Sequence, residues 1–281
     1  MAAMDHFLLI IGAMKSGTTS LFKYLADHPE IAPCREKEPH FFVYADRWAK
    51  GWPYYTSLWD WDPSRHQIAM EASTGYTKLP LFANAAERIA TVDGNFKFVY
   101  VMRHPIERIQ SHYTHGQTEG WETTKQPLDG GQVHEQLIAV SSYARQLDEY
   151  YRRFPAENIK LLLYEDLKTR PAELVTEVCE FIGVDPAYQS EQIGVVHNKN
   201  NYRVESKMLK RLRWSGAGRA VASVLPDSVV QPIRAAVGRS PAATAKLTTE
   251  QKDGILEALL PDLRRLKSDY GVEIARWGID V

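Results

Sequence analysis

The sequence predicts an α/β fold of the P-loop-like, doubly wound kind, with a central parallel core flanked by helices. Three observations carry this expectation. An apolar run of strand length, a polar turn and a helical segment follow one another three times, beginning at Phe7, Lys97 and Ile159. The first run is continuous rather than alternating, as suits a strand covered by helices on both faces. The strands end in polar residues able to hold an anion, and ligands of such folds gather at the carboxyl ends of the strands.

The first strand is Phe7-Leu-Leu-Ile-Ile11. The segment Thr19 to His28 follows, with Leu21, Tyr24 and Leu25 at helical spacing, and stops at His28-Pro29 because the residue before proline disfavours the α region. Positions 38–62 form an aromatic-rich insertion with Trp48, Trp52, Trp59 and Trp61. The second strand, Lys97 to Met102, leads through Arg103-His-Pro105 into a helix from about Ile106. Residues 116–135 are polar and glycine-rich and read as a long loop or lid. The third strand, Ile159 to Tyr164, leads through Glu165-Asp166 to a helix from Pro171 to Ile182, which Gly183 is placed to end. Residues 214–247 are rich in Ala, Gly, Ser, Pro and Val and predict short helices at most. A last helix opens with Thr248-Thr-Glu-Gln251, a capping-box pattern, spaces Ile255, Leu259, Leu263, Leu266 and Tyr270 along one face, and ends at Gly271.

The 281 residues suffice for one large α/β domain or two small ones. Lys plus Arg total 34 against 35 Asp plus Glu, so no global field points to nucleic acid, and an anion site must come from local placement of cations. The two cysteines, Cys34 and Cys179, make neither a disulfide framework nor a metal spacing and read as small buried hydrophobes. No stretch approaches the roughly 20 apolar residues of a membrane span, and the expectation is a soluble, cytoplasmic protein.

Gly12-Ala-Met-Lys-Ser-Gly17-Thr-Thr has the G-x-x-x-x-G frame of a phosphate-binding loop, but Thr18 stands where the lysine belongs. Backbone N–H groups at the turn and helix N-terminus can still cradle an anion. Lys15 adds a point charge, and Thr18, Thr19 and Ser20 add hydroxyls. No carboxylate-terminated strand suited to Mg²⁺ is apparent, whereas phosphoryl transfer usually relies on such a metal. A transferred group of lower charge, such as sulfuryl, fits a loop that works without a metal.

Arg103-His-Pro-Ile-Glu-Arg-Ile-Gln-Ser111 begins where the second strand ends. The planar fork of arginine suits phosphate oxygens, and the serine hydroxyl adds a donor. The plainer alternative is a surface ion pair between Arg103 and Glu107, which would stabilise little. Two anion pockets in one doubly wound sheet imply a ligand with two separate phosphate groups.

"GAMKSGTTSLF" resembles the 5′-phosphosulfate loop of sulfotransferases that use 3′-phosphoadenosine 5′-phosphosulfate (PAPS), and "FVYVMRHPIERIQSHY" resembles the 3′-phosphate motif of that family. "LLLYEDL" at 161–167 is similar to its third strand, and the likeness spans about positions 7–185. The resemblance implies one sulfotransferase domain over 1–281: a nucleotide-binding core in 7–185, with the acceptor-side insertion 38–62, then a closing loop and C-terminal helices in 186–281. It implies that Lys15, Ser16, Gly17, Thr18, Thr19 and Ser20 hold the phosphosulfate, and that Arg103 and Ser111 hold the 3′-phosphate. Tyr164 matches a position that lies against adenine in some members, while a core tyrosine is the equal alternative. Lys199 and Arg203, in His197-Asn-Lys-Asn-Asn-Tyr-Arg203, are the candidates for a basic loop closing over the 3′-phosphate.

"EKEPHFF" at 36–42, followed by "KGWPYYTSLW", is similar to the glutamate-bearing segment of carbohydrate sulfotransferases, particularly the heparan sulfate glucosaminyl branch. That resemblance implies Glu38 as general base, a sound choice because an acceptor hydroxyl loses its proton as its oxygen attacks sulfur. His40 is the rival, since the branch acting on small phenols uses a histidine. Two departures, Val43 for an aspartate and Ala72 for the lysine after Glu71, remove contacts suited to a charged sugar and point away from a heparan-like polymer. The four tryptophans fit an acceptor cleft and core packing equally well. The basic run Lys207, Lys210, Arg211, Arg213 reads as a solvated helix face.

The expected activity is sulfuryl transfer from PAPS, without a metal, to a hydroxyl of a carbohydrate, glycolipid or small metabolite. The alternatives are a P-loop nucleotide kinase with an atypical loop and a non-catalytic nucleotide-binding protein. Neither the insertion nor the 116–135 loop encodes a recognisable acceptor, and no segment encodes an oligomeric state.

Overall fold

The computed structural model describes residues 4–121, 124, 135–193, 203–204, 240–241 and 246–280. Five parallel strands form the central sheet: β1 (His6–Gly12), β2 (Ile31–Pro33), β3 (Ile68–Ala72), β4 (Asn95–Met102) and β5 (Ile159–Leu163). Their order is β2-β3-β1-β4-β5. The chain runs from β1 out to the edge strand β2, comes back to β3 beside β1, then crosses to add β4 and β5 on the other side. The strand order therefore reverses beside β1, and the crevice outside the ends of β1 and β4 is the switch point where such sheets bind ligands.

Two of these strands escape the sequence reading. β2 is three residues long, and β3 (Ile-Ala-Met-Glu-Ala) carries a carboxylate within an otherwise apolar segment. An apolar-run criterion passes over both.

The helices are α1 (Thr18–Leu25), α2 (Ala45–Trp48), α3 (Gly51–Thr56), α4 (Ala85–Ala90), α5 (Pro105–Glu119), α6 (Glu135–Ala139), α7 (Tyr143–Tyr151), α8 (Tyr164–Thr169), α9 (Pro171–Ile182) and α10 (Thr249–Tyr270). They cover both faces of the sheet. Leu8 and Ile10 of β1 enter one core with Leu21, Leu25, Leu174 and Val178 of α1 and α9. Phe7, Leu9 and Ile11 enter the other with Leu147, Leu259 and Leu263 of α7 and α10. The alternation of side chains along a strand splits one continuous apolar run between two cores.

The aromatic insertion is core. Trp52 and Trp59 lie 5.3 and 6.0 Å from Phe7, and Trp48 lies 5.3 Å from Phe41. The Trp59 indole donates to the Met70 carbonyl at 3.2 Å, and Trp61 packs against the same cluster. The loop expected over 116–135 is helical at both ends, since α5 continues through Glu119 to a left-handed Gly120 (φ 74°) and Glu135 opens α6; residues 122–123 and 125–134 lie outside the described residues. Glycine at 116 does not break the helix because Gly costs only about 1 kcal/mol there. Thr248 and Gln251 form the expected capping box, and Gly183 and Gly271 close α9 and α10 in the left-handed region. Cys34 and Cys179 are buried and free, with burial pushing their thiols up to about 12 and about 11.

The C-terminal segment is pinned to the body. The Asp262 carboxylate accepts from the Ala144 and Arg145 amides at 3.0 and 2.9 Å, capping α7 from another helix. Asp166 on α8 accepts from Arg276 at 2.7 Å and from Arg170 at 3.0 Å. Arg203–Val204 pairs antiparallel with Ser240–Pro241. Among the described residues, no helix is long and apolar enough to cross a membrane. The basic run at 207–213 and Lys199 lie outside the described residues.

Candidate functional site

β1 delivers the chain to the loop at its carboxyl end. The Ala13 amide donates to the Val101 carbonyl at 2.7 Å, which ties the loop to β4. Gly17 has φ 87°, and a Cβ there would come within 2.8 Å of both Tyr164 and Leu167. Handedness and space alike demand glycine. Lys15 is also left-handed (φ 71°), a conformation that costs a non-glycine residue about 1–3 kcal/mol and that proteins keep at functional sites. The Ser16 side chain is fully buried, yet its hydroxyl has no hydrogen-bond partner among the described residues. Such a group is costly unless something accepts from it. Thr18, Thr19 and Ser20 open α1; the Ser20 amide donates to the Gly17 carbonyl at 2.9 Å, and the amides of this first turn form the positive end of the helix dipole. Loop, hydroxyl and dipole together form a cradle whose chemistry suits an anion.

Arg103 emerges from the end of β4 into the same crevice. Its Nη1 donates to the Lys15 carbonyl at 3.4 Å, and its guanidinium carbon lies 4.6 Å from the Tyr164 ring centroid. Its Nε and Nη2 both donate to one oxygen of Glu107, at 3.1 and 2.7 Å. The plainer reading of Arg103 is thus present in the structure alongside the loop contact. The Arg103 hydrogen bond holds the Glu107 carboxyl below its ordinary value, but Glu107 is 55% exposed and the pair stabilises little. Ser111 is one turn beyond Glu107 on α5 and shares its face. Tyr164, the first residue of α8, is flanked by the Arg103 guanidinium and Gly17. Arg203 enters only as a backbone pair, so neither candidate of the closing loop adds a described side chain.

Glu38-Pro39-His40 forms the third part. Glu38 and His40 are both left-handed, at φ 56° and 49°. His40 Nε2 lies 3.2 Å from Glu38 Oε2, and Thr74 Oγ1 donates to the same oxygen at 3.4 Å. The His40 amide donates to Ser73 Oγ at 3.1 Å. Gly75 lets the imidazole lie on the backbone, since a Cβ there would stand 2.8 Å from His40 Nδ1. Burial alone would raise the Glu38 carboxyl. The hydrogen bond from His40 and the charges of Lys37, His40 and Lys78 outweigh it and hold the group below its ordinary value. The two rival bases are therefore one unit, with the carboxylate ionised and the imidazole beside it.

Several residues in the crevice were not singled out from the sequence. Arg108 is fully buried: Nε donates to Ser141 Oγ at 2.6 Å, Nη2 to the Leu137 carbonyl at 2.7 Å and Nη1 to the Met14 carbonyl at 3.5 Å. Its Nη1 also meets His112 Nδ1 at 2.9 Å, and burial together with Arg108 holds the His112 imidazole well below its ordinary value. A positive charge thus sits directly behind the anion loop. Lys78 follows a 3₁₀ turn (Thr74–Thr77) that touches Glu38. Burial pulls its ammonium down to about 8, with Glu38 opposing the shift. Its Nζ lies 6.0 Å from the Trp121 ring centroid, and His112 and His115 meet that ring at 5.7 and 5.1 Å. Arg108 stands inside the quoted motif and was legible there; Lys78 had no local signal. Among the described residues, no group of three His, Cys, Asp or Glu is placed to hold a metal.

This geometry agrees with what the chain is related to. The sulfotransferase domain family matches residues 5–213, and the chain belongs to that family. Heparan sulfate glucosamine 3-O-sulfotransferase 6 of Mus musculus is 28% identical over 248 residues, covering 81% of this chain and 67% of that protein. The Homo sapiens protein of the same name is 30% identical over 187 residues, covering 63% of this chain and 52% of that one. The chain thus spans about half to two thirds of the length of these relatives. A sulfotransferase from Alicyclobacillus acidocaldarius shares the fold, with a TM-score of 0.67 at 21% identity over 99% of this chain and 100% of that one.

Proposed function

We propose that this chain transfers the sulfuryl group of PAPS to an acceptor hydroxyl, with Glu38 as general base. The observation that carries the reading is the convergence of Arg103 on the Lys15 loop, two cationic positions at one switch point beside an ionised carboxylate. PAPS, when bound, supplies an activated sulfuryl group on a 5′-phosphate. Lys15, the Ser16 hydroxyl and the first amides of α1 would hold the phosphosulfate end; Arg103 and Ser111 would hold the 3′-phosphate. Glu38 takes the acceptor proton, and His40 orients that carboxylate. Lys15 and the loop amides stabilise charge on the departing phosphate from fixed positions, the kind of preorganised electrostatics that often dominates catalysis. The acceptor is a hydroxyl of a carbohydrate, glycolipid or small metabolite, the carbohydrate being favoured by the glucosaminyl relatives.

The test is calorimetric titration with adenosine 3′,5′-bisphosphate, 5′-AMP and ATP, with and without Mg²⁺, beside transfer of radiolabelled sulfuryl from PAPS to an acceptor panel. The expected result is preference for the bisphosphate independent of Mg²⁺. Glu38→Gln should then lose about 10²–10⁴ in transfer rate while binding the bisphosphate within about twofold of wild type. Tightest binding of ATP with Mg²⁺ would replace this reading with a kinase.

A further inference from the structure

We infer that Glu71 and Ser73 are positioning residues which hold the Glu38–His40 turn through one oriented hydroxyl. The inference rests on the proposed role of Glu38 only for its catalytic consequence; the geometry stands by itself.

Glu71 is fully buried in β3, beside β1 in the sheet. Three hydroxyls converge on it. Tyr55 and Tyr76 each donate to Oε1 at 2.7 Å, and Ser73 donates to Oε2 at 2.6 Å. Burial raises the Glu71 carboxyl and the hydrogen bonds from Ser73, Tyr76 and Tyr55 oppose the shift; three donors on two oxygens suit the ionised form, which can only accept. A serine hydroxyl has one hydrogen. Because Glu71 takes it, the Ser73 oxygen presents lone pairs elsewhere, and the His40 amide donates to it at 3.1 Å. The Ser73 amide itself donates to the Ile10 carbonyl at 3.1 Å, so this anchor is fixed to the strand that feeds the anion loop.

The need for an anchor is visible at Glu38 and His40. Both are non-glycine residues in the left-handed region, which persists only where the surroundings over-determine it. The His40 amide bond to Ser73 is a direct tether from this turn to the sheet. The carboxylate of Glu71 thus sets the direction of one hydrogen and keeps it off the lone pair that accepts from His40. Gln at 71 would keep shape and volume but turn an amide N–H toward Ser73. Ser73 would then face N–H donors on two sides, and its own hydrogen would lose its acceptor.

The experiment compares the full chain with Glu71→Gln, Ser73→Ala, the double variant and Tyr55→Phe. Hydrogen exchange of the His40 amide is followed by NMR, with binding of adenosine 3′,5′-bisphosphate and Tm as folding controls. Ser73→Ala should speed His40 exchange about fivefold or more, the loss of one hydrogen bond. Glu71→Gln should speed it in the same direction, and the double variant no further than Ser73→Ala alone. Tyr55→Phe removes a donor from Glu71 Oε1 while leaving the Ser73 hydrogen bond to Oε2 in place and should leave His40 exchange as in wild type. Additive effects, an unchanged amide in Glu71→Gln, or an equal rise in Tyr55→Phe would each overturn the inference. If His40 exchange responds as expected while Glu38→Gln keeps its rate of sulfuryl transfer, the inference stands and Glu38 as base falls.

Discussion

Replacing Arg103 by alanine separates recognition of a 3′-phosphate from ordinary loop packing. In the structure the guanidinium is only 18% exposed and is already held by the Lys15 carbonyl and the Tyr164 ring, so little side-chain freedom remains to be lost on binding. A charge-assisted contact to phosphate is worth about 1.5–3 kcal/mol. Against it stands the pair with Glu107, in which both donors share one oxygen of an exposed carboxylate, worth about 0.2–1 kcal/mol. The net is about 0.5–2.8 kcal/mol, or about two- to 110-fold in Kd. Titration calorimetry should show Arg103→Ala losing that factor for adenosine 3′,5′-bisphosphate and almost nothing for 5′-AMP, which lacks the second phosphate. Glu107→Gln removes the competitor and should tighten the bisphosphate by up to about fivefold. Equal losses for both nucleotides in Arg103→Ala would refute the reasoning and reduce Arg103 to a prop for the Lys15 carbonyl.

Gly17→Ala places a Cβ in the left-handed region and within 2.8 Å of Tyr164 and Leu167; it should cost about 2–4 kcal/mol and abolish bisphosphate binding, read by thermal melts and calorimetry. Lys78 loses its charge as pH rises through about 8, so any part of the rate that needs this charge should fall over that limb, and Lys78→Met should remove the limb from the profile. Because the folded state lowers this lysine, the unfolded chain binds more protons between about pH 8 and 10.4, and wild type should gain stability relative to Lys78→Met across that window. Asp166, held down to about 2 by hydrogen bonds from Arg276 and then Arg170, contributes stability that is present above the ordinary aspartate value and lost as pH falls through about 2. Asp166→Asn should lower stability by about 1–2 kcal/mol at neutral pH, the half-exposed arginines being screened, and lessen the acid dependence of urea unfolding.

The legible parts of this molecule are those whose conformation is written in neighbouring residues. Gly12 to Gly17 announces a tight turn, Arg103-His-Pro105 a strand end running into a helix, and Thr248 to Gln251 a helix start, and each is found where its residues put it. β2 and β3 were hidden because a three-residue strand and a strand containing Glu71 lack a sustained apolar run. The tryptophans of the insertion were ambiguous for a related reason: an aromatic ring serves a core and a cleft equally well, and only its neighbours decide.

By itself the sequence determined the class of fold and the turns at the ends of β1 and β4, because backbone handedness, helix starts and strand ends depend on a few adjacent residues; the glutamate segment entered through its resemblance to carbohydrate sulfotransferases. The tertiary structure alone decided that Arg103 reaches the Lys15 loop, that Glu38 and His40 act as one unit, and that Glu71 gathers hydroxyls from Tyr55, Ser73 and Tyr76. It also brought Lys78 and Arg108 into the crevice. These are matters of charge and hydrogen-bond direction between segments far apart in the chain, and such interactions acquire their strength only when folding removes the water between them.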